Sequence, residues 1–223
     1  MGGKPPAGAL SRAASEIAVV AGTAALALHF SPRLPGGAGA WLAPAVLLYV
    51  PLAAILLGDR DFSGCGLSWP ERGAPRDFLG FVLAVMPVFL AGYYLFARYY
   101  LGQGFEFRPW SAAALAELAF WQVLGVALPE EVFFRGWLQG RLNRMTGLRF
   151  RLWGARVGPG LFIAAAVFAG FHLFYRPSAS RLLVFFPGLL FGLYRERTKS
   201  VVVPVLVHAA ANFLFLIAQD WMK

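Results

Sequence analysis

Long apolar runs separated by short polar and basic segments dominate the chain. A helix that crosses the hydrocarbon core of a bilayer takes about 20 apolar residues, with a range of about 17–25. Seven runs are candidate spans: Ala13–Phe30, Leu34–Gly58, Phe78–Ala97, Ser111–Gly140, Val157–Tyr175, Leu182–Tyr194 and Ser200–Gln219. The sixth run is short and is interrupted by Pro187-Gly188, whereas the other six are long enough. The pattern predicts an all-α, polytopic membrane protein with six to eight transmembrane helices, and most simply seven.

Composition supports this class and excludes others. Of the 223 residues, 59% are apolar and 14% are charged, against about 45–50% and about 25% in soluble domains. The mean hydropathy is +0.62, so a water-soluble domain is excluded. A disulfide scaffold is excluded as well, because Cys65 is the one cysteine in the chain.

The basic residues indicate an orientation in the membrane, not a nucleic-acid partner. The formal net charge is +9, but most Lys and Arg residues lie in short loops beside apolar runs and form no basic helix face. With the N-terminus in the cytoplasm, the larger share of these loops is cytoplasmic, as the positive-inside rule requires. If Leu182–Tyr194 is re-entrant instead of spanning, the C-terminus lies on the cytoplasmic side too.

Ionisable residues inside the fourth run form the first candidate site. An ionisable group within a span costs about 2.5–3.5 kcal/mol on insertion scales, which makes such groups functional candidates. Glu131 and Arg135 are four residues apart, the favourable spacing and direction for a helical ion pair. Glu130 points about 100° away and has no partner at that spacing. We therefore expect one paired and one free carboxylate, the free one suited to general-base chemistry; a purely structural salt bridge is the alternative.

Two later runs contribute further polar groups at membrane depth. His172 follows Phe168 and Gly170 in the fifth run, where hydrogen-bonded packing is the simpler interpretation of a single histidine. In the last run, His208 and Asn212 are four apart and share one helix face. Both side chains donate hydrogen bonds, which suits an oxyanion, although an interhelical polar contact explains them too.

The three clusters agree in depth. At 1.5 Å per residue, Glu131 lies about 15 Å, His172 about 20 Å and His208 about 12 Å from the cytoplasmic end of their segments. Independent packing residues have no reason to share a level, so the agreement favours one common site.

In order, the clusters read Glu-Glu-x-x-x-Arg, Phe-x-x-x-His and His-x-x-x-Asn over Ser111–Gln219. This pattern resembles the CPBP (CAAX protease and bacteriocin-processing, Abi) family of intramembrane glutamic endopeptidases, which includes the type II CAAX prenyl proteases. The resemblance implies a peptidase with no obligatory metal or other cofactor. By resemblance, Glu130 and His172 activate the hydrolytic water, while His208 and Asn212 hold the oxyanion. Glu131 and Arg135 orient and charge-balance the site.

The resemblance also carries expectations about organisation and partners. It implies a single membrane-embedded domain over 1–223, with three accessory helices in 1–108 and a catalytic helical core in 109–219. The expected location is the cytoplasmic membrane, and the expected substrate is a membrane protein or a lipidated peptide. The run 129–142 resembles bacterial, sortase-like (myxosortase-type) branches, which trim C-terminal membrane anchors.

Two other functions remain open at this stage. Glu130, His172 and His208 supply the two-histidine, one-carboxylate set of a zinc protease, although no His-Glu-x-x-His helix is present. A membrane transporter or non-catalytic scaffold also places polar groups at mid-membrane, and broken helices are found in transporters. Against that interpretation, the sequence contains no internal repeat.

Overall fold

The computed structural model describes residues 7–70, 73–175 and 178–223, which are helical almost throughout. These residues form seven main helices: α1 (Ala7–Phe30), α2 (Ala38–Leu57), α3 (Ala74–Tyr100), α4 (Ala112–Thr146), α5 (Pro159–Tyr175), α6 (Phe185–Thr198) and α7 (Val202–Trp221). Short 3₁₀ turns lie at Ser31–Arg33, Pro35–Gly37 and Ala179–Val184. The all-α class predicted from the apolar runs is confirmed.

Five helices in the described residues are long and apolar enough to cross a membrane, namely α1, α2, α3, α4 and α7. This confirms a multi-pass membrane protein. α5 has 17 residues and is shorter than expected because Val157 belongs to a β-strand instead. α6 has 14 residues and begins at Phe185, and its last turn carries Arg195 and Arg197. α6 is therefore shorter than the minimum of about 17 residues that a spanning helix needs.

α4 is the longest helix and is irregular around its proline. It begins after Ser111, whose hydroxyl accepts a hydrogen bond from the Ala114 amide, and it continues six residues beyond the predicted end at Gly140. π-helical turns at Trp121–Ala127 and Val132–Leu138 flank Pro129. Proline removes one backbone donor, and wide π turns inside α-helices are frequently found at functional sites. The helix is thus irregular at the Glu130–Glu131 pair.

The second half of α4 is the centre of the molecule. Every residue from 131 to 142 is buried, whereas a surface helix buries one stripe. Phe133, Phe134, Trp137 and Leu138 pack in one cluster with residues of α1, α2 and α5. This half of α4 is therefore covered by α1, α2, α5 and α6.

An ion-pair network fastens α1 and the loop after α2 to the end of α4. Arg141 donates to Glu16 (Nε···O, 2.9 Å) and to Asp59 (Nη1···O, 2.6 Å). The Trp137 indole also donates to Glu16, at 3.0 Å, and Arg144 donates to Asp59. Partial burial raises the pKa of Asp59, but these hydrogen bonds and charges outweigh it and hold the pKa below its ordinary value. α1 is therefore fixed to the end of α4.

Glu196 of α6 joins that helix to the same end of α4. Its buried carboxylate accepts hydrogen bonds from Gln139 and Arg195, both at 2.8 Å, and from Asn143. The charged end of α6 is thus built into the protein interior and does not lie in a solvated loop.

The loop after α2 lies directly on glycines of α4. A Cβ atom at Gly136 would come within 3.1 Å of the Cys65 carbonyl oxygen, and one at Gly140 within 3.1 Å of the Gly64 oxygen. Cys65 is buried there. Larger residues at these two positions would push the loop away.

Two short strands replace a predicted loop between α4 and α5. β1 (Phe150–Leu152) pairs with β2 (Ala155–Val157) as an antiparallel hairpin. Strands of three residues are too short to show the alternation of apolar and polar residues that predicts a strand. The basic residues of this segment therefore indicated a loop.

We expect Arg141→Gln to destabilise the protein. The substitution breaks both ion pairs and leaves a polar group among buried residues, so a loss of about 1–3 kcal/mol is expected. The measurement is the Tm of the purified protein in mild detergent, with Arg98→Gln as control because Arg98 is exposed on α3. Equal Tm values for the two variants would show that the network does not hold α1 and α4 together.

Candidate active site

Glu131 lies at the centre of the site and binds two partners. Its side chain is 0% exposed, and its Oε1 atom accepts hydrogen bonds from Arg135 Nη1 and His208 Nδ1, both at 2.8 Å. The ion pair predicted from the four-residue spacing is therefore present. The second bond joins α4 to α7 across 77 residues of sequence.

Arg135 is enclosed by aromatic rings from three helices. Its guanidinium carbon lies 4.1 Å from the ring centroid of Phe168, 5.2 Å from that of Phe191 and 5.9 Å from that of Phe134. Nη2 donates to the Gly188 carbonyl at 3.2 Å. A Cβ at Gly188 would lie 3.3 Å from Nη2, so the absence of a side chain at Gly188, in the first turn of α6, allows the close approach. Cation–π contacts and one carboxylate thus hold this charge without bulk water.

His208 connects the two carboxylates. Its ring stacks on Phe191 at a centroid distance of 4.9 Å and an angle of 21°. With Nδ1 on Glu131, its Nε2 lies 3.9 Å from Glu130 Oε2. That Glu130 oxygen is buried and has no hydrogen-bond partner in the described part of the chain. Glu130 is therefore the carboxylate that has an oxygen free to bind a water molecule or a substrate group. This agrees with the expectation that Glu130 has no partner at helical spacing.

His172 is held in one tautomer by its own helix. Its Nδ1 lies 2.9 Å from the Phe168 carbonyl oxygen, and because a carbonyl accepts only, Nδ1 carries the proton. The lone pair of the neutral ring is then on Nε2. The Phe168 ring lies 4.6 Å from the His172 ring and 6.1 Å from the His208 ring, centroid to centroid. Phe168 thus packs against both imidazoles.

Asn212 has a partner that the sequence did not reveal. Its Nδ2 donates to Gln122 Oε1 at 3.1 Å, and Gln122 is buried in the first π turn of α4. The available signal was an amide inside an apolar run, which is weak because amides in spans are often packing contacts.

The structure brings four of the six predicted residues into one group, and the other two bind different partners. Glu130, Glu131, Arg135 and His208 form one contact group. Within the described residues, no hydrogen bond or ion pair joins His172 to Glu130, and Asn212 contacts Gln122 instead of His208.

The alternative zinc set is not assembled. No group of three or more His, Cys, Asp or Glu side chains in the described residues is arranged to hold a metal ion. Glu130 and His208 lie near each other, and His172 is hydrogen-bonded to the Phe168 carbonyl. Zinc requires its ligand atoms at about 2 Å from one point, so the zinc set of Glu130, His172 and His208 stays a prediction that the described geometry does not support.

The fold and the cluster define a class: a polytopic helical membrane protein with a buried carboxylate–imidazole site on its central helix. Residues 112–214 match the family model of Rce1-like type II CAAX prenyl endopeptidases, which confirms the resemblance drawn from the motifs. The match supports a CAAX-type intramembrane protease. All six predicted site residues and Gln122 lie inside the matched segment. No curated protein and no solved structure gives a significant match.

We expect Glu131 and Arg135 to be strongly coupled in stability. Glu131→Gln or Arg135→Met leaves the other charge buried with incomplete compensation, a loss of about 3–5 kcal/mol for each single variant. The double variant removes both charges and should lose clearly less than the sum of the two. Thermal or denaturant unfolding in detergent measures this, and strictly additive losses would contradict the buried pair.

Proposed function

We propose that the protein is an intramembrane endopeptidase that hydrolyses a peptide bond of a membrane-associated protein, such as a C-terminal anchor or a lipidated tail. One observation carries the proposal: a buried Glu130 oxygen without a hydrogen bond in the described residues lies beside a His208 ring whose far nitrogen is bonded to Glu131. Acyl transfer to water requires a base and an oxyanion donor, and these groups supply both. The family match over 112–214 supports the same chemistry.

In the first step, Glu130 acts as the base. Its free oxygen accepts a proton from a water molecule while the water oxygen bonds to the scissile carbonyl carbon. His172 orients this water through Nε2, since Nδ1 is engaged by the Phe168 carbonyl. The product of this step is a tetrahedral intermediate with a negative charge on the former carbonyl oxygen.

Two donors from α7 stabilise that oxyanion. His208 in its protonated form keeps one N–H on Glu131 and presents the other, on Nε2, to the oxyanion. Asn212 has two N–H groups on Nδ2, of which one is donated to Gln122, so the second is available. Both donors are thus held in place before substrate arrives, which is the condition for electrostatic stabilisation.

The intermediate then collapses. The C–N bond breaks, Glu130 returns its proton to the leaving nitrogen, and the products are a carboxylic acid and an amine. Glu131 and Arg135 do not exchange protons with the substrate in this scheme. Their role is to hold His208, with Arg135 balancing the carboxylate charge.

Replacing the base should abolish cleavage without unfolding the protein. We expect Glu130→Gln to abolish processing, because the amide cannot accept the proton of the water. The Tm should change little, because the Oε2 atom of Glu130 makes no hydrogen bond that the substitution would break. The measurement compares the termini of membrane proteins in cells that carry the wild-type protein with those in cells that carry Glu130→Gln. Glu117→Gln is the matched control, since Glu117 is exposed on the same helix. Unchanged termini for every substrate candidate in a well-folded Glu130→Gln variant would favour a transporter or scaffold.

Gln122 should act as a positioning residue for Asn212. Removal of an oxyanion donor costs about 10²–10³ in kcat, which we expect for Asn212→Ala. For Gln122→Ala we expect a loss of about 10-fold in kcat with KM nearly unchanged, because Asn212 is only misaligned. In the Asn212→Ala background, Gln122→Ala should have little further effect.

The control for that experiment is Gln219→Ala, at an exposed position of α7. A substrate found through the terminus comparison serves for the kinetics. A change in KM alone, or full additivity of the two substitutions, would place Gln122 outside the oxyanion site.

A further inference from the structure

We propose that the β1–β2 hairpin binds the phosphate-bearing headgroup of an anionic phospholipid at the membrane boundary. The hairpin connects α4 directly to α5. Since both helices are apolar, the segment between them lies where hydrocarbon meets headgroups. This inference is independent of peptide hydrolysis.

One face of the hairpin is fixed to the protein. Ala155 and Val157 are buried and pack with Leu161 of α5 and Leu193 of α6. In addition, the Phe150 ring lies 6.3 Å from that of Phe162. The hairpin is therefore a firm support for whatever its other face presents.

The opposite face places two arginines side by side. Arg151 is directly opposite Arg156 in the strand register, and both are exposed. Directly opposed residues have Cβ atoms about 4.5–5.5 Å apart, and like charges there are destabilising. The segment 147–158 contains a third arginine, Arg149, and no acidic residue. Neither Arg151 nor Arg156 has an ion-pair partner in the described residues. An anion between the two guanidinium groups would remove the repulsion.

Phosphate is the anion that suits this pair. Each guanidinium donates two parallel hydrogen bonds to phosphate oxygens, and two of them at this spacing reach a single phosphate group. A headgroup phosphate also lies at the right height, because positively charged segments next to transmembrane helices attract anionic lipids.

The turn supplies a second, separate observation. Trp153 has a φ of 47° and Gly154 a φ of 82°, so the bulky indole occupies a left-handed position that suits Gly or Asn. Its side chain is 69% exposed, and its carbonyl accepts a hydrogen bond from Arg197 Nη1 at 3.1 Å. Tryptophan is enriched at the membrane interface. A strained, exposed Trp beside two unpaired arginines fits a bilayer surface better than a soluble anion.

The experiment uses the full-length protein in mild detergent. Its Tm is measured after addition of phosphatidylglycerol, of phosphatidylcholine, or of inorganic phosphate. We expect phosphatidylglycerol to raise the Tm more than phosphatidylcholine does, and we expect salt to reduce the difference because the arginines are exposed. The double variant R151Q/R156Q should lose most of that difference. R12Q/R98Q is the matched control, with the same change in net charge at two exposed positions, and should keep it.

Trp153→Asn separates a lipid contact from a merely structural role. Asn suits the left-handed position, so this variant should be at least as stable as the wild type without lipid, yet should gain less from phosphatidylglycerol. Equal responses of wild type and R151Q/R156Q to phosphatidylglycerol would overturn the proposal. An equal Tm increase with inorganic phosphate alone would also overturn it, by assigning the site to a soluble anion.

Discussion

The need to compensate the Glu131 carboxylate inside an apolar helix bundle sets the geometry of the site. A buried charge without water is very unfavourable unless it is paired and hydrogen-bonded, and Glu131 meets this requirement with one cation and one imidazole. The first partner is on its own helix, but the second fixes α7 against α4. Once His208 is held there, its free nitrogen faces Glu130, and Asn212, one turn further along α7, lies beside Gln122. The arrangement of the site follows from that one carboxylate.

The same requirement also bears on the backbone at Gly188 of α6 and around Pro129 of α4. Arg135 avoids solvent only because Phe168 and Phe191 cover it and the Gly188 carbonyl accepts one of its N–H groups. Gly188 has no side chain and permits that approach, so the first turn of α6 belongs to the site. The π turns on either side of Pro129 affect α4 in a related way, because they change which faces its side chains occupy.

Local patterns in the sequence predicted a large part of this. Apolar runs longer than about 17 residues located the spans, and the four-residue spacing located the Glu131–Arg135 pair. Three ordered motifs carried the resemblance to the family whose model matches residues 112–214. Gln122 and the Glu196 cluster were missed because they depend on partners far away in sequence and have no local pattern of their own. The hairpin 150–157 was missed because its strands have only three residues each. The zinc set was equally beyond reach, since convergence of three side chains on one point is a property of helix packing.

The sequence by itself therefore determined which segments are membrane helices and which charged residues lie within them, because hydropathy and helical spacing are local properties. Only the tertiary structure decided that Glu131 is shared between Arg135 and His208, that the His208 ring lies beside Glu130, and that Phe168 packs against both histidines. These outcomes depend on how helices rotate and approach one another. That rotation is fixed by side-chain contacts between residues dozens of positions apart, and no local pattern in the chain encodes them separately.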